Sequence, residues 1–136
     1  MIQAPQAGFV LAPTPLEQLS RLSDKLAIDL WVKRDDLAGP SFGGNKTRQL
    51  DFYLGAAMAQ DADTVLITGA VQSNFVRIAA ALAARLGMRT IVQLESRVKD
   101  QDTLYQTSGN VLLNHLLGAE VIHYAEGEDE AGADAA

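Results

Sequence analysis

The sequence predicts an α/β protein with a parallel sheet and helices on both of its faces. Two observations lead to this prediction. Strand-like and helix-like segments alternate along the chain, and the strand-like segments are short apolar runs of the kind that parallel sheets bury. The connections are short, so right-handed crossovers between neighbouring strands are expected. Composition agrees, since 48% of the 136 residues are hydrophobic and 21% are charged.

The first element is expected to be a helix that begins after Thr14. Thr14, Pro15 and Glu17 match the cap, the first helical position and the third helical position of a capping box. Leucines follow at near-helical spacing and predict one apolar face: Leu16, Leu19, Leu22 and Leu26. A strand over residues 30–33 is expected next, and the turn residues of 38–44 predict a loop.

Three helix and strand pairs are predicted after that loop. The predicted elements are a helix over 45–60, a strand over 64–68, a helix over 75–86, a strand over 90–94, a helix over 110–117 and a strand over 120–123. The first of these helices presents one apolar face, made of Leu50, Tyr53, Leu54 and Ala57. The strand over 64–68 is continuously apolar, which predicts burial on both sides. Gly87 is expected to end its helix in the left-handed conformation.

The charges argue against several classes of partner. The net charge is −6, but five of the 17 acidic residues lie in the last eleven positions, so 12 acidic and 11 basic residues remain in a near-neutral body. Such a near-neutral body is not expected to bind nucleic acid.

No apolar run has membrane-spanning length, no signal peptide is recognisable, and a cytoplasmic location is expected. No metal site is predicted, because cysteine is absent and His115 and His123 have no second ligand at metal-binding spacing.

Lys46 is a candidate nucleophilic amine. It follows Gly43 and Gly44 and begins a helix, and glycines let the backbone come close to a bound group. The positive potential of a helix N-terminus, together with nearby Arg48, favours the neutral amine that attack on a carbonyl requires. The alternative is a solvated lysine in the first turn of the helix.

The loop over residues 69–74 is a candidate anion site. It connects a buried strand to a helix, and the free N–H groups of a helix N-terminus favour a carboxylate or phosphate. Ser73 and Asn74 add a hydroxyl and an amide that can bind the same anion. The alternative is that one of them only caps the helix.

Five segments, taken together in this order and at these intervals, indicate a protein family more specifically than any one of them does. They are residues 14–17, 33–37, 43–48, 72–74 and 117–121. Together they resemble the D-cysteine desulfhydrase and 1-aminocyclopropane-1-carboxylate (ACC) deaminase family, whose members are pyridoxal-phosphate enzymes with the tryptophan-synthase-β fold. The resemblance extends to about Tyr124.

This resemblance implies the roles of particular residues. Lys46 is implied to be catalytic and to bind the cofactor pyridoxal 5'-phosphate covalently, with Asn45 in the same cofactor-binding loop. Ser73, implied to be catalytic as well, and Asn74 correspond to residues that receive the substrate carboxylate and the cofactor's ring hydroxyl. Gln72 opens this substrate-binding loop.

The resemblance also implies a domain division. Residues 1–44 are expected to belong to a large domain, residues 45–124 to an incomplete small α/β domain, and residues 125–136 to an acidic tail that is truncated or disordered. The chain would then be part of a two-domain tryptophan-synthase-β-like fold. Two positions depart from the family, because Phe75 stands where histidine is more common and Gln49 stands where lysine is frequent.

The implied activity is a carbon–sulfur lyase reaction on a small amino acid. D-cysteine desulfhydrase, which converts D-cysteine to pyruvate, sulfide and ammonia, is the expected activity of a homodimeric full-length protein. ACC deaminase and L-cysteate sulfo-lyase are alternatives within the family. A truncated, non-catalytic α/β domain is the alternative from another class, and the 136-residue chain by itself is expected to be inactive.

Overall fold

The computed structural model describes residues 4–127 and 129–135. In chain order the elements are strand β1 (Leu16–Gln18), helix α1 (Ser20–Leu26), strand β2 (Trp31–Lys33), a single 3-10 turn (Asp35–Leu37), helix α2 (Asn45–Met58), strand β3 (Thr64–Ala70), helix α3 (Asn74–Arg85), strand β4 (Arg89–Glu95), helix α4 (Thr103–Thr107), helix α5 (Gly109–Leu116), strand β5 (Glu120–Tyr124) and helix α6 (Glu130–Ala135).

A three-stranded parallel sheet forms the centre of the chain. The strand order is β3-β4-β5, with Thr64 opposite Arg89 at one end of the first pair and Ala70 opposite Glu95 at the other. Helix α3 connects β3 to β4, and α4 and α5 connect β4 to β5. The predicted α/β class is therefore confirmed for the second half of the chain.

The hydrophobic core lies between α3 and one face of this sheet. Val92 and Leu94 of β4 are fully buried and belong to the same cluster as Ile78 and Leu82 of α3. The inner side of α3 is otherwise mostly alanine, and such small side chains let a helix lie close to a sheet. Gly87 follows α3 with φ +74, so the predicted left-handed helix end is confirmed.

The opposite face of the sheet is more open than the sequence predicts. Leu66 of β3 is 66% exposed, so the prediction that this strand is buried on both sides is wrong. Helix α6 lies against this face, where the Gln93 side-chain amide donates to the carbonyl of Ala133 at 2.7 Å. This short helix falls within residues 125–136, for which a truncated or disordered tail is expected.

The N-terminal capping box is not formed. Leu16–Gln18 instead pairs antiparallel with Trp31–Lys33 in a two-stranded sheet that is separate from the parallel sheet. The Glu17 carboxylate pairs with the Arg34 guanidinium at 2.8 Å, and α1 begins only at Ser20. The predicted apolar face is also wrong, since all four of its leucines are exposed: Leu16, Leu19, Leu22 and Leu26. Pairing with a distant strand overrides the local capping signal here.

Helix α2 is held against the core by half of its predicted face. Leu50 and Leu54 are buried with Phe9, but Tyr53 is exposed, so its predicted burial is wrong. The buried Asp51 carboxylate accepts from the Phe9 backbone N–H at 2.7 Å. This bond fixes the N-terminal segment on α2, the helix that carries Lys46. No helix in the described residues is long and apolar enough to span a membrane.

Candidate active site

A cavity of about 420 Å³ lies at the carboxyl ends of β3 and β4. Ligands of parallel α/β sheets commonly bind at this edge, where the loops that follow the strands meet helix N-termini. The residues that line it are Lys46, Gln49, Thr68, Gly69, Ala70, Gln72, Ser73, Phe75, Arg97 and Tyr105. Three predicted site residues, Lys46, Gln72 and Ser73, are therefore brought together. Asn45 and Asn74 are exposed and lie outside this lining.

The loop before Lys46 is shaped by contact with the 3-10 turn. Gly43 has φ +53, and a Cβ on it would lie 2.5 Å from the Asp36 carbonyl oxygen and 2.7 Å from that of Asp35. The Gly44 N–H donates to the Asp35 carbonyl at 2.6 Å, and Gly44 itself has φ +100. The glycines are therefore required by backbone packing and backbone conformation, and close approach of a ligand is not the reason for Gly43.

Arg48 is paired with a carboxylate. Its Nη2 lies 2.5 Å from Oδ1 of Asp35, which also receives the Thr14 hydroxyl at 3.5 Å. The positive charge that the sequence suggested would act on Lys46 is thus balanced within the ion pair. The pair also fixes α2 to the 3-10 turn, so it positions the helix that presents Lys46.

Ser73 is the N-cap of α3. Its Oγ accepts from the Val76 N–H at 3.3 Å, and its backbone is extended, as usual for a cap. A Cβ on Gly69 would lie 2.8 Å from a Val76 methyl group and 3.1 Å from the Ser73 Oγ, so only glycine fits beside this cap. A hydroxyl has one donor and two acceptor positions. The capping bond uses one acceptor position and leaves the Ser73 O–H able to donate into the cavity.

Gln72 connects the cavity to the α4–α5 junction. Its side-chain Nε2 donates to the carbonyls of Tyr105 at 2.6 Å and Ser108 at 2.9 Å. Its Oε1 accepts from the Asn110 N–H at 2.8 Å. Gly109 has φ +57, and a Cβ on it would lie 2.6 Å from the same Oε1. The amide group of Gln72 is therefore occupied in holding Tyr105, another lining residue.

The Asn74 side chain is fixed by two donors. Its Oδ1 accepts from Asn110 Nδ2 at 3.0 Å and from Arg77 Nη2 at 3.3 Å. Arg77 is buried, and burial lowers the pKa of its guanidinium. It also donates to the Ser41 carbonyl and lies over the Phe42 ring. Arg77 thus joins the loop before Lys46 to the start of α3, and the orientation of the Asn74 amide leaves its NH₂ unoccupied by these contacts.

Arg97 is a lining residue that the sequence reasoning missed. Its Nε and Nη2 each lie 2.7 Å from Oε2 of Glu95, the last residue of β4. The Thr68 hydroxyl donates to Oε1 of Glu95 at 2.5 Å, and this bond, followed by those from Arg97, lowers the pKa of the carboxyl. The signal was available, because Arg97 follows β4 by two residues and carboxyl ends of parallel strands share one edge.

Comparison with known proteins identifies the family. The family model described as "Pyridoxal-phosphate dependent enzyme" matches residues 9–136. The chain belongs to this family. Curated members similar to it include D-cysteine desulfhydrase of Serratia proteamaculans, 46% identical over 121 residues, and of Salmonella typhimurium, 44% identical over 117 residues. These matches cover 89% and 86% of this chain but 37% and 36% of the relatives, so the chain spans little more than a third of their length.

Solved structures of pyridoxal-phosphate enzymes confirm the predicted fold class. An ACC deaminase homologue superimposes with a TM-score of 0.76 and 34% identity, covering 96% of this chain and 39% of that one. A fungal L-serine ammonia-lyase from Rhizomucor miehei superimposes with a TM-score of 0.67 at 22% identity, which shows the shared fold. The predicted resemblance to this pyridoxal-phosphate family is thereby confirmed.

The lining residues fit the covalent end of a pyridoxal-phosphate cofactor. Lys46 supplies a half-buried primary amine, and Phe75 supplies an apolar ring to the same cavity. Hydroxyl and amide side chains belong to the same lining, as expected where a few placed polar groups fix the orientation of a ligand. Lys46 would hold the cofactor's aldehyde carbon, and the N-terminus of α3 offers N–H groups to an anion.

Proposed function

We propose that the protein containing this chain is a pyridoxal-phosphate-dependent carbon–sulfur lyase that acts on D-cysteine. The proposal is supported by the similarity to D-cysteine desulfhydrases at 43–46% identity. The products would be pyruvate, sulfide and ammonia. When bound, pyridoxal phosphate supplies an aldehyde for the substrate amine and an electron-withdrawing ring for the α-carbon.

Two lining side chains would act directly on the substrate. Lys46 Nζ would accept the α-proton of the substrate as a general base. The Ser73 hydroxyl and the N-terminus of α3 would bind the α-carboxylate, with the exposed Asn74 amide beside them. Holding the carboxylate would fix the orientation of the bonds at the α-carbon relative to Lys46 Nζ, and this orientation would determine which bond reacts.

The remaining residues of the loops would position these two. Gln72 fixes the loop before Ser73 through Tyr105, and Arg77 fixes Asn74 relative to the loop before Lys46. Asn45 adjoins Lys46 at the start of α2, where it would complete the cofactor loop. Gln72 and Asn74 would therefore both belong to the substrate loop. Gln72 would act indirectly, by positioning the residues that it contacts.

One observation carries the proposal: the Lys46 amine and the Ser73 hydroxyl line the same cavity at the carboxyl ends of parallel strands. Borohydride reduction of the cofactor-loaded protein, followed by peptide mass spectrometry, should find pyridoxal phosphate attached to Lys46. Incubation with D-cysteine should release sulfide and pyruvate in equal amounts. Lys46→Ala should abolish both results.

Lys33 provides the matched control for this experiment. Lys33 is exposed in β2, outside the cavity lining, and its Nζ donates to the Thr14 carbonyl, so Lys33→Ala should leave cofactor attachment intact. Cofactor recovered on Lys33 or Lys99 would refute the assignment of Lys46. Attachment to Lys46 without sulfide release would keep the cofactor site and reject D-cysteine as substrate.

ACC deaminase activity is the second candidate. The superimposed ACC deaminase homologue, at 34% identity, is the observation that favours it. Incubation with ACC in place of D-cysteine should then release ammonia and a keto acid without sulfide. Turnover of ACC with a kcat/KM above that of D-cysteine would make this the better description.

The domain division, the oligomeric state and the location extend the proposal. Residues 1–44 would belong to a large domain and 45–124 to a small one, in a homodimeric cytoplasmic protein, as the family resemblance implies. Light scattering of the natural protein should give twice the mass of its chain. A monomeric mass at micromolar concentration would contradict the dimer.

A further inference from the structure

Arg77 is a buried cation without an acidic partner. The residue is 6% exposed, and none of the ion pairs among the described residues includes it. An arginine is rarely buried unless a carboxylate pairs with it, because removing an isolated charge from water is costly. The arginines of this chain that do pair with carboxylates are all more exposed: Arg34, Arg48, Arg89 and Arg97. Folding by itself therefore does not favour a charge at this position.

The place of Arg77 on α3 adds to this cost. It is the fourth residue of the helix, and its backbone N–H donates to the carbonyl of Ser73, the N-cap, at 3.2 Å. The N-terminus of a helix carries positive potential, so a cation is unfavourable there. The acceptors of its guanidinium among the described residues are neutral, namely the Ser41 carbonyl and hydroxyl and the Asn74 Oδ1. An anion bound at the N-terminus of α3 would offset both costs.

Asn74 connects this charge to the substrate loop. Its Oδ1 accepts from Arg77 Nη2 at 3.3 Å, and Asn110 Nδ2 donates to the same oxygen at 3.0 Å. Donation by a cation polarises the amide, so the Asn74 NH₂ becomes a stronger donor. Under the proposed function, this NH₂ lies beside the α-carboxylate that Ser73 binds. We propose, on the basis of that function, that Arg77 is a positioning residue whose buried charge, acting through Asn74, strengthens binding of the α-carboxylate.

The experiment compares two ligands that differ only in the group bound at Ser73. D-alanine carries a carboxylate, and D-alaninamide carries a neutral amide in its place. Calorimetry on the natural, cofactor-loaded protein gives the ratio of their Kd values. Arg77→Met should lower the preference for D-alanine by about tenfold, the effect of losing a charge-assisted hydrogen bond, and should change the Kd of D-alaninamide by less than about twofold. Arg77→Lys keeps the charge and should keep most of the preference.

Arg85→Met is the matched control. Arg85 lies on the same helix, and its guanidinium stacks on the Phe9 ring at 5.6 Å, much as Arg77 stacks on the Phe42 ring at 5.4 Å. Arg85 is exposed and ends α3, so it is far along the helix from Ser73. Its loss should leave the ratio of the two Kd values unchanged.

A double-mutant cycle tests the route through Asn74. Asn74→Ala should also lower the preference for D-alanine, and Arg77→Met/Asn74→Ala should lower it no further, because the two residues act on the carboxylate as one unit. Losses that add would show that Arg77 reaches the ligand by another route, which contradicts the proposal.

A stability measurement tests the uncompensated charge without an Arg77 variant. Asn74→Asp places a carboxylate beside Arg77 and should raise the urea midpoint of the cofactor-loaded protein. Asn45→Asp is the control, because it places the same charge at the first residue of α2 and measures the favourable effect of a helix N-terminus alone. A rise for Asn74→Asp no larger than that for Asn45→Asp would mean that Arg77 needs no counter-charge, and the proposal would fail.

Three results of the ligand comparison would also overturn the proposal. An unchanged ratio in Arg77→Met means that the carboxylate does not depend on this charge. Equal weakening of both ligands means that Arg77 has only a structural role. A loss in Arg77→Lys as large as that in Arg77→Met means that the shape of the guanidinium matters and its charge does not. Sulfide release from D-cysteine tests the proposed function separately, since calorimetry with D-alanine needs no turnover: sulfide release with an unchanged ratio in Arg77→Met would reject this inference alone.

Discussion

Replacing Gln72 with alanine should destabilise the protein by about 2 kcal/mol. The substitution removes three neutral hydrogen bonds, two donated to the Tyr105 and Ser108 carbonyls and one accepted from the Asn110 N–H. At about 0.5–1.5 kcal/mol each, they sum to roughly 3 kcal/mol. The site is only part-buried, so water will replace some of them, and about 2 kcal/mol remains.

Urea denaturation of the natural protein measures this change as a shift of the midpoint at constant slope. Gln101→Ala is the matched control, because Gln101 is exposed and donates a single bond to the Lys99 carbonyl at 3.1 Å. It should change stability by less than about 0.5 kcal/mol. A loss below 0.5 kcal/mol for Gln72→Ala as well would show that these bonds do not hold the α4–α5 junction.

Three further predictions concern catalysis, pH and the isolated chain. Ser73→Ala should lower kcat on D-cysteine by about 10- to 1000-fold with the cofactor still attached, because an oriented donor to the reacting group is lost. The hydrogen bond from Thr68 depresses the folded-state pKa of Glu95 below its ordinary 4.5. The contribution of this carboxylate to stability is therefore full above pH 4.5 and is lost as pH falls through the folded-state pKa. In a plot of the free energy of unfolding against pH, Glu95→Gln should therefore make the slope below pH 4.5 shallower. The 136-residue chain by itself should bind pyridoxal phosphate weakly and release no sulfide, since it spans 37% of its relatives' length.

Each of these predictions has a contradicting result. Unchanged kcat in Ser73→Ala would leave Ser73 as a helix cap only. Identical acid-side slopes for wild type and Glu95→Gln would show that this carboxyl titrates alike in folded and unfolded protein. Saturable cofactor binding together with sulfide release by the 136-residue chain would show that these residues suffice for catalysis.

Elements with strong local signals could be predicted from the sequence. Helices α2, α3 and α5 and strands β3 to β5 lie within two residues of their predicted bounds, because apolar periodicity and the terminating glycines both mark them. Helix α4 was missed because five residues are too few to show a helical period. The Thr14 capping box failed because pairing with Trp31–Lys33 is a contact between distant residues, which no local pattern records.

Only the site residues that belong to sequence motifs could be predicted. Lys46, Gln72 and Ser73 come from short segments that resemble family motifs, and they line one cavity. The contacts that fix them were not visible in the sequence, because Arg77 to Ser41 and Gln72 to Ser108 each join residues 36 positions apart. Arg97 belongs to no motif and is identified only by its place at the sheet edge.

The contact of Gly43 with the 3-10 turn has a consequence for how the protein acquires its cofactor. Because the carbonyls of Asp35 and Asp36 already set the shape of this loop, Lys46 stands at the cavity before any aldehyde arrives. Loading should therefore follow a single exponential whose rate rises linearly with cofactor concentration and shows no preceding lag. Gly43→Ala, which forces the loop away from those carbonyls, should introduce a slow conformational phase that does not depend on concentration.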